Sequence, residues 1–265
     1  MSLYSYLDFP DIKYEGPRIE EHFPNIFTTF SQMAAVLTLY FSMILIGPSL
    51  MKKYSPFRPK RWLLAYNILQ VICNVFLLYL IFDCCGLGIF RVWNHVCDPV
   101  SSSVGFDQQV QFKVLRLMYV YYLIKIFDLI DTVFLILMKK QLSFLHLFHH
   151  SSMVFSIWVT TSFFREQIGI FFGFMNTLVH AVMYCYYFLS SFGPVAQKYL
   201  SWKKHLTSLQ MAQFIVSLAV LVKMKFENCH VTQCFWLLWG FNIICFLGFF
   251  CNFYIKAYGR KKKTD

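Results

Sequence analysis

Residues 168–190 read IGIFFGFMNTLVHAVMYCYYFLS and contain no Asp, Glu, Lys or Arg. A helix of about 20 mainly apolar residues is long enough to cross the hydrocarbon core of a bilayer. We therefore predict a membrane-spanning helix here. Two polar residues within it, Asn176 and His180, lie one helical turn apart, and an ionisable group at this depth usually has a functional role.

Seven stretches of this kind follow one another along the chain, separated by short loops. No loop is long enough to hold a second, soluble domain, so we predict a single polytopic membrane domain over residues 1–265. The predicted fold class is an all-α membrane protein with seven transmembrane helices. The predicted spans lie at about 26–51, 62–84, 113–138, 144–163, 168–190, 206–226 and 235–257.

The composition also indicates a membrane protein. Of the 265 residues, 58% are hydrophobic and 14% are charged, whereas soluble domains average about 25% charged residues. The net charge of +11 does not indicate a nucleic-acid partner, because the basic residues lie between apolar spans. Anionic headgroups or phosphorylated ligands are the partners that such loops meet. The nine cysteines form no CxxC pair and show no zinc-type spacing.

Lys and Arg are concentrated in alternate loops, at 52–61, 139–140, 198–204 and 260–263. The positive-inside rule places these loops in the cytosol, which predicts a lumenal N-terminus and a cytosolic C-terminus. Lys262 and Lys263 stand four and three residues from the end of the chain. This spacing matches a dilysine retrieval signal, an address that receptors recognise. We therefore predict a multi-pass protein of the endoplasmic reticulum membrane.

Cysteines occur in the loops on the predicted lumenal side. Cys97 lies in the loop after the second span, and Cys229 and Cys234 lie in the loop after the sixth. Because the lumen permits disulfides, we hypothesise a bridge between Cys97 and Cys229, with Cys234 as the alternative partner.

Polar residues occur inside four of the predicted spans. At about 1.5 Å of rise per residue, they lie roughly 6–15 Å from the cytosolic ends of their helices. Within each span they are three or four residues apart and share one face. We predict that the four faces meet in a common interior cavity. The residues are Lys125, Asp128 and Asp131; His146, His149 and His150; Asn176 and His180; and Thr207, Gln210 and Gln213.

Three kinds of site fit this set of side chains. A metal site would use His149, His180 and Asp131, although only four histidines lie in the polar layer and membrane di-iron enzymes use about twice as many. An acyl-transfer site would use an unprotonated imidazole to attack a thioester, with Asp128 or Asp131 fixing its tautomer. A second imidazole, His180, would then stabilise the oxyanion or handle protons. In the third reading, the polar residues only join helices.

Four sequence blocks resemble, in order and spacing, the motifs of the ELO family of fatty acid elongases. They are KIFDLIDT at 125–132, FLHLFHH at 144–150, NTLVHAVMYCYY at 176–187 and TSLQMAQF at 207–214. The resemblance covers about residues 25–265. It implies condensation of a long acyl-CoA with malonyl-CoA to 3-oxoacyl-CoA, CoA and carbon dioxide. It also implies that six helices ring a narrow acyl tunnel closed at the lumenal end.

The resemblance implies roles for particular residues. His149 would accept the acyl group, and His180 would lie close to the reacting carbon. The other catalytic candidates are His146, His150, Asp128, Asp131 and Asn176. Residues that match CoA-contacting positions of the family are Lys125, His146, Tyr186, Thr207 and Gln210. From their charge and position at the tunnel mouth we add Lys139, Lys140 and Lys203, since lysine binds phosphate. Gln141 is added because it matches the Gln that precedes the FLH block in the family.

Two departures from the family pattern affect the CoA end of the site. Met138 stands where the family commonly has a cation, and the turn that follows is two residues shorter. Asp128 stands where Glu is common. No cofactor is expected, because acyl-CoA and malonyl-CoA are substrates. Membrane lipid, a homodimer and other enzymes of the elongation cycle are the expected partners. A metal-dependent lipid desaturase or hydroxylase and a seven-helix receptor or transporter are the alternative functions.

Overall fold

The computed structural model describes residues 26–57, 59–97, 108–164, 168–193, 196, 198 and 200–259, without the side chains of 108–111 and 164. Within these ranges the chain is helical and contains no β-strand. This confirms the predicted all-α class. Lys262 and Lys263, the predicted retrieval signal, lie outside the described residues.

The helices follow the apolar stretches of the sequence. A 3-10 turn, Gly86–Arg91, continues the second helix, and a π turn, Thr160–Phe164, continues the fifth. The α-helices are α1 Phe30–Met51, α2 Lys60–Cys85, α3 Gln108–Phe127, α4 Ile130–Leu137, α5 Phe144–Val159, α6 Ile168–Ser190, α7 Lys203–Phe226 and α8 Gln233–Tyr258.

Five helical segments of the described residues are long and apolar enough to cross a membrane, as expected of a multi-pass membrane protein. They are α1, α2 with its 3-10 turn, α6, α7 and α8. The stretch predicted at about 113–138 is instead divided into α3 and α4 by a turn at Asp128 and Leu129. The stretch predicted at about 144–163 has 16 α-helical residues before its backbone widens into the π turn.

Side-chain caps explain where two of the helices begin. Thr29 and Gln32 form a reciprocal capping box at the start of α1, in which each side chain binds the other residue's backbone N–H. At the start of α5, the Ser143 hydroxyl accepts a hydrogen bond from the backbone N–H of His146 at 3.2 Å. The second cap fixes the first turn of the helix that carries the three histidines.

Helices α2 and α6 form the most extensive pair and run antiparallel. Asn67, early in α2, donates to the Ser191 hydroxyl just after α6, and Phe82, late in α2, packs edge-on against Phe174 early in α6. Helix α7 packs against α8, and α3 packs against both α2 and α5. Helix α1 lies against α4 and α5. Only 11% of its most apolar 18-residue stretch is buried, so most of its surface is left for lipid.

A disulfide joins the segment after α2 to the segment after α7. Cys97 and Cys229 are bonded, with their Cα atoms 5.0 Å apart and a sequence separation of 132 residues. Cys234, the alternative partner, is a free thiol. The bridge ties together two parts of the chain that are distant in sequence.

Candidate active site

The break between α3 and α4 places two carboxylates close together. The backbone N–H of Asp131 donates to the carbonyl of Asp128, and that of Thr132 donates to the carbonyl of Leu129, both at 3.1 Å. These are i to i+3 bonds, so the chain makes a tighter turn here than an α-helix does. Asp128, which lies in this turn, is 1% exposed, so the turn brings a buried carboxylate into the site.

Asp128 is neutralised by a lysine from the same face of the helix. The Nζ of Lys125 lies 3.0 Å from Oδ2 of Asp128, and both side chains are 2% exposed. The same Nζ lies 3.4 Å from Nδ1 of His180, which is itself 3.7 Å from Asp128 Oδ2. It also lies 5.1 Å from the centre of the Tyr121 ring, a cation–π distance. Lys125, Asp128 and His180, predicted to share a cavity, therefore form one cluster.

The other oxygen of Asp128 binds a residue that the sequence analysis did not single out. Gln70, on α2, donates through Nε2 to Asp128 Oδ1 and to the Tyr66 hydroxyl, each at 2.8 Å. A usable signal existed, because Asn67, Gln70 and Asn74 are amides at helical spacing inside an apolar stretch. Polar faces were predicted from the sequence in four other spans and not in this one.

Asp131 is held by α6. The Tyr184 hydroxyl donates to Asp131 Oδ2 at 2.6 Å and lies 3.5 Å from Asp128 Oδ1. The expectation that Asp128 or Asp131 orients His149 is not met by the structure, because these carboxylates are engaged by Lys125, Gln70 and Tyr184 instead. The physical reason is the tight turn, which directs both carboxylates toward α2 and α6 rather than toward α5.

The three histidines of α5 face the same interior but have different neighbours. His146 Nε2 is 2.8 Å from the Thr132 hydroxyl, which in turn is 3.1 Å from the hydroxyl of buried Tyr40 on α1. The rings of His146 and His150 lie 4.3 Å apart between centroids. Thr132 and Tyr40 were also missed, since hydroxyls in apolar helices carry little sequence signal.

His149 faces His180 across the interior. Their rings are nearly parallel, with centroids 6.0 Å apart and an angle of 26° between planes. On its other side His149 packs against Phe246 of α8, at 5.0 Å between centroids. The rings from α5 and α6 therefore meet, as the shared depth of their polar residues predicted.

A cavity opens beside His149. Asn176 lines it, and because the Tyr121 hydroxyl donates to its Oδ1 at 2.9 Å, its NH₂ group is left as a donor for a ligand. Polar residues of α7 and α8 also line the cavity, of which Asn242 had not been predicted. The polar lining consists of Tyr121, His149, Asn176, Gln213, Ser217, Trp239 and Asn242.

Of the residues expected to bind CoA, Lys125 and His146 belong to the histidine cluster, whereas the others have different surroundings. Lys139, Lys140, Gln141 and Lys203 are exposed. Three others bind close neighbours rather than the histidine cluster. The Tyr186 hydroxyl donates to the Leu200 carbonyl at 3.5 Å, the Thr207 hydroxyl to the Lys203 carbonyl at 3.4 Å, and Gln210 Nε2 to the Met183 sulfur at 3.5 Å.

The metal alternative requires three converging ligands. Across the described residues, no group of three or more His, Cys, Asp or Glu side chains has the geometry to hold a metal ion. The position between Asp128 and His180 that a cation would take is occupied by the ammonium group of Lys125.

A family model decides the affiliation of the chain. The model for the GNS1/SUR4 family, ELO, matches residues 25–265. The chain belongs to the ELO family. The match includes α1 to α8 and all four blocks that carried the resemblance.

Relatives named as very long chain fatty acid elongases are similar over nearly the whole chain. A very long chain fatty acid elongase of Aedes aegypti is 34% identical over 266 residues, 99% of this chain and 71% of its own length. Very long chain fatty acid elongase 7 of Drosophila melanogaster is 34% identical, covering 94% of this chain and 74% of its own length. Very long chain fatty acid elongase 1 of Mus musculus is 33% identical, covering 95% and 89%.

Proposed function

We propose that this chain is a fatty acid elongase that condenses a long-chain acyl-CoA with malonyl-CoA, giving 3-oxoacyl-CoA, CoA and carbon dioxide. Membership of the ELO family and relatives named as elongases support fatty acid elongation. The observation that carries the reaction is that His149 borders a cavity and faces His180, which is tied to the Lys125–Asp128 pair.

In the first half-reaction, an unprotonated nitrogen of His149 attacks the thioester carbonyl. The carbon–sulfur bond breaks, the proton of the second ring nitrogen passes to the leaving thiolate, and CoA departs, leaving an acyl-imidazole. In the second half-reaction, malonyl-CoA loses carbon dioxide, and its carbanion attacks the acyl carbonyl. The carbon–nitrogen bond breaks, and the imidazole regains a proton.

His180 suits the role of oxyanion donor. The ammonium of Lys125 has only donors, so its contact at 3.4 Å makes Nδ1 of His180 the acceptor. The neutral ring then carries its proton on Nε2, available to a developing oxyanion. The NH₂ group of Asn176, freed by the bond from Tyr121, is a second donor and lines the cavity beside His149.

The acyl chain would extend from His149 toward the lumen. A second cavity shares two lining residues, Tyr121 and Trp239, with the cavity beside His149. Its walls are mostly apolar, including Ile81, Leu117 and Ile157, which suits a hydrocarbon. We propose that the two cavities are parts of one acyl tunnel, ringed by six of seven membrane-spanning helices. The seven spans would be the five segments described above together with α3–α4 and α5.

The CoA moiety would lie at the cytosolic mouth. The exposed lysines Lys139, Lys140 and Lys203 offer positive charge to its phosphates, and Tyr186, Thr207 and Gln210 lie on the helices around them. We propose that the C-terminus lies in the cytosol and the N-terminus in the lumen of the endoplasmic reticulum, because the lysine-rich loops would face the cytosol. No cofactor enters the reaction. A homodimer and association with other elongation-cycle enzymes complete the proposal.

The test is an assay of the purified full chain with acyl-CoA in the presence and absence of malonyl-CoA. We expect CoA release with acyl-CoA alone, at most one equivalent per chain, and 3-oxoacyl-CoA only when malonyl-CoA is added. His149→Ala should fold and do neither, whereas His95→Ala, which replaces an exposed histidine, should behave as wild type. Strict dependence of CoA release on malonyl-CoA would exclude the acyl-imidazole, and a fully active His149→Ala would exclude this nucleophile.

A further inference from the structure

Gln70 has no exposed surface, and its orientation is set by charge. Its Nε2 lies 2.8 Å from Asp128 Oδ1. The opposite orientation of the amide would bring Oε1 against a carboxylate oxygen, an acceptor against an acceptor. Nε2 therefore faces Asp128, with Tyr66 at 2.8 Å and Tyr184 at 3.4 Å as its other neighbours.

The amide divides the two oxygens of Asp128 between two tasks. Oδ1 is held by Gln70, while Oδ2 binds Lys125 at 3.0 Å and lies 3.7 Å from His180 Nδ1. A carboxylate held at one oxygen by a fixed donor cannot rotate about its side-chain bonds without losing that bond. Gln70 thereby fixes where Lys125 and His180 meet Asp128.

Two observations indicate that the amide at position 70 serves to bind Asp128 and not to pack α2 against its neighbours. The Oε1 of Gln70 is buried and has no hydrogen-bond partner within the described part of the chain, a cost of about 1–3 kcal/mol. A residue selected only to join α2 to its neighbours would be better apolar. Among the described residues, Gln70 Nε2 binds Asp128 at 2.8 Å and lies 3.4 Å from the Tyr184 hydroxyl, while its bond to Tyr66 stays within α2.

We propose that Gln70 is a positioning residue of the reaction, which acts through Asp128 on Lys125 and His180. The inference rests on the proposed function for the reaction that it affects. Gln70 touches neither the cavity lining nor His149, so it is not a catalytic residue.

The main comparison is Gln70→Leu against Asn74→Leu. Asn74 is equally buried, one turn further along α2, and donates to the Gln70 backbone carbonyl without contacting Asp128. We expect Gln70→Leu to lower kcat roughly 10–100-fold, the loss expected when a charged acceptor loses its donor. KM for acyl-CoA should change little, because Gln70 has no hydrogen bond to the exposed lysines that are proposed to bind the CoA phosphates. Asn74→Leu should stay within about threefold of wild type.

Gln70→Glu tests the positioning role through the pH dependence of activity, which a purely structural role of Gln70 would leave unchanged. Its carboxyl would face Asp128, and two carboxylates at this distance share a proton. The protonated side chain restores an O–H donor, so activity should be retained at low pH and fall more steeply than that of wild type as pH rises. The ionisable groups facing this position are Tyr66, Lys125, Asp128, Asp131, His180 and Tyr184.

A measurement without substrate separates this inference from the proposed function. The infrared band of the Asp128 carboxylate, assigned by its loss in Asp128→Asn, should shift in Gln70→Leu and not in Asn74→Leu. An unshifted band, a Gln70→Leu kcat equal to that of Asn74→Leu, or a wild-type pH profile for Gln70→Glu would each overturn the inference. If the band shifts in Gln70→Leu but the wild-type protein elongates no acyl-CoA, the proposed function alone is refuted.

Discussion

Lys125 and Asp128 are both 2% exposed, so this ion pair has lost its hydration. Removing two charges from water is costly, and the pair persists because each charge also has other polar partners. Gln70 supplies a donor to Asp128, while the ring of Tyr121 and the lone pair of His180 face the ammonium. At the scale of single residues, the site is a buried charge network in which no member is replaceable alone.

Replacing Lys125 by Met should therefore leave an uncompensated buried carboxylate and lower the free energy of unfolding by about 3–5 kcal/mol. The double variant Lys125→Met/Asp128→Asn removes both charges and should regain most of that stability without regaining elongation. Thermal unfolding in detergent and the condensation assay measure the two effects. Lys113→Met is the control, because its ion pair with Asp83 is exposed and worth under about 1 kcal/mol. Equal melting temperatures for Lys125→Met and Lys113→Met would contradict the buried-pair account.

At the scale of elements, the shortened turn between α4 and α5 closes by a specific backbone device. The N–H of Lys140 donates to the Leu135 carbonyl at 2.9 Å and that of Lys139 to the Ile136 carbonyl at 3.0 Å. Lys139 itself has a φ of +53°. This is the helix-ending motif that normally uses glycine at the left-handed position. The chain keeps a lysine there, at the mouth where the phosphates of CoA are proposed to bind.

Two substitutions at Lys139 separate backbone strain from charge. Both Lys139→Gly and Lys139→Ala remove the cation, but only glycine adopts the left-handed conformation without cost. We expect the glycine variant to be more stable than the alanine variant by about 1 kcal/mol. The two should show the same increase in KM for acyl-CoA. Thermal unfolding and KM measure this, and equal stability of the two variants would show that the turn relaxes without a left-handed residue.

At the scale of the whole molecule, two glycines of α6 shape the wall of the apolar cavity. A Cβ added at Gly173 would lie 3.8 Å from the Tyr121 ring, and one at Gly169 would lie 3.7 Å from Thr160. These are ordinary contact distances, so larger side chains fit the fold but occupy space beside the acyl chain. The cavity volume is therefore set jointly by α3, α5 and α6.

Gly173→Val should shorten the longest product by at least one round of elongation while leaving short acyl-CoA substrates active. The reason is that the added methyl groups reduce the apolar cavity and not the space at His149. Product lengths measured by mass spectrometry across a series of acyl-CoA substrates test this. Gly240→Val on α8, where an added Cβ meets no atom within 4 Å, is the matched control. An unchanged product series for Gly173→Val would place the acyl chain elsewhere.

The disulfide acts at the same scale, since it links segments 132 residues apart. Cys97→Ser should lower the free energy of unfolding by about 2–4 kcal/mol, chiefly by freeing the unfolded chain. The variant should also abolish the mobility difference between reducing and non-reducing gels. Cys234→Ser, which removes a free thiol, should change neither property. A mobility difference that survives Cys97→Ser would mean that another pair is oxidised.

The amino-acid sequence by itself determined the helical class, the positions of the apolar helices and the depth at which His149 and His180 meet. Helical periodicity and the rise per residue suffice for these, because they are properties of one helix at a time. The pairing of Cys97 with Cys229 also required only the location of two loops, with Cys234 left as an alternative.

Only the tertiary structure decided which side chain each buried charge faces. Asp128 or Asp131 was expected to orient the attacking imidazole, yet these carboxylates bind Lys125, Gln70 and Tyr184. In a membrane helix, the faces that touch lipid and the faces that touch protein are both apolar. Hydrophobic patterning therefore does not reveal which helices are neighbours, and Gln70 of α2 is identified only when the helices are packed together.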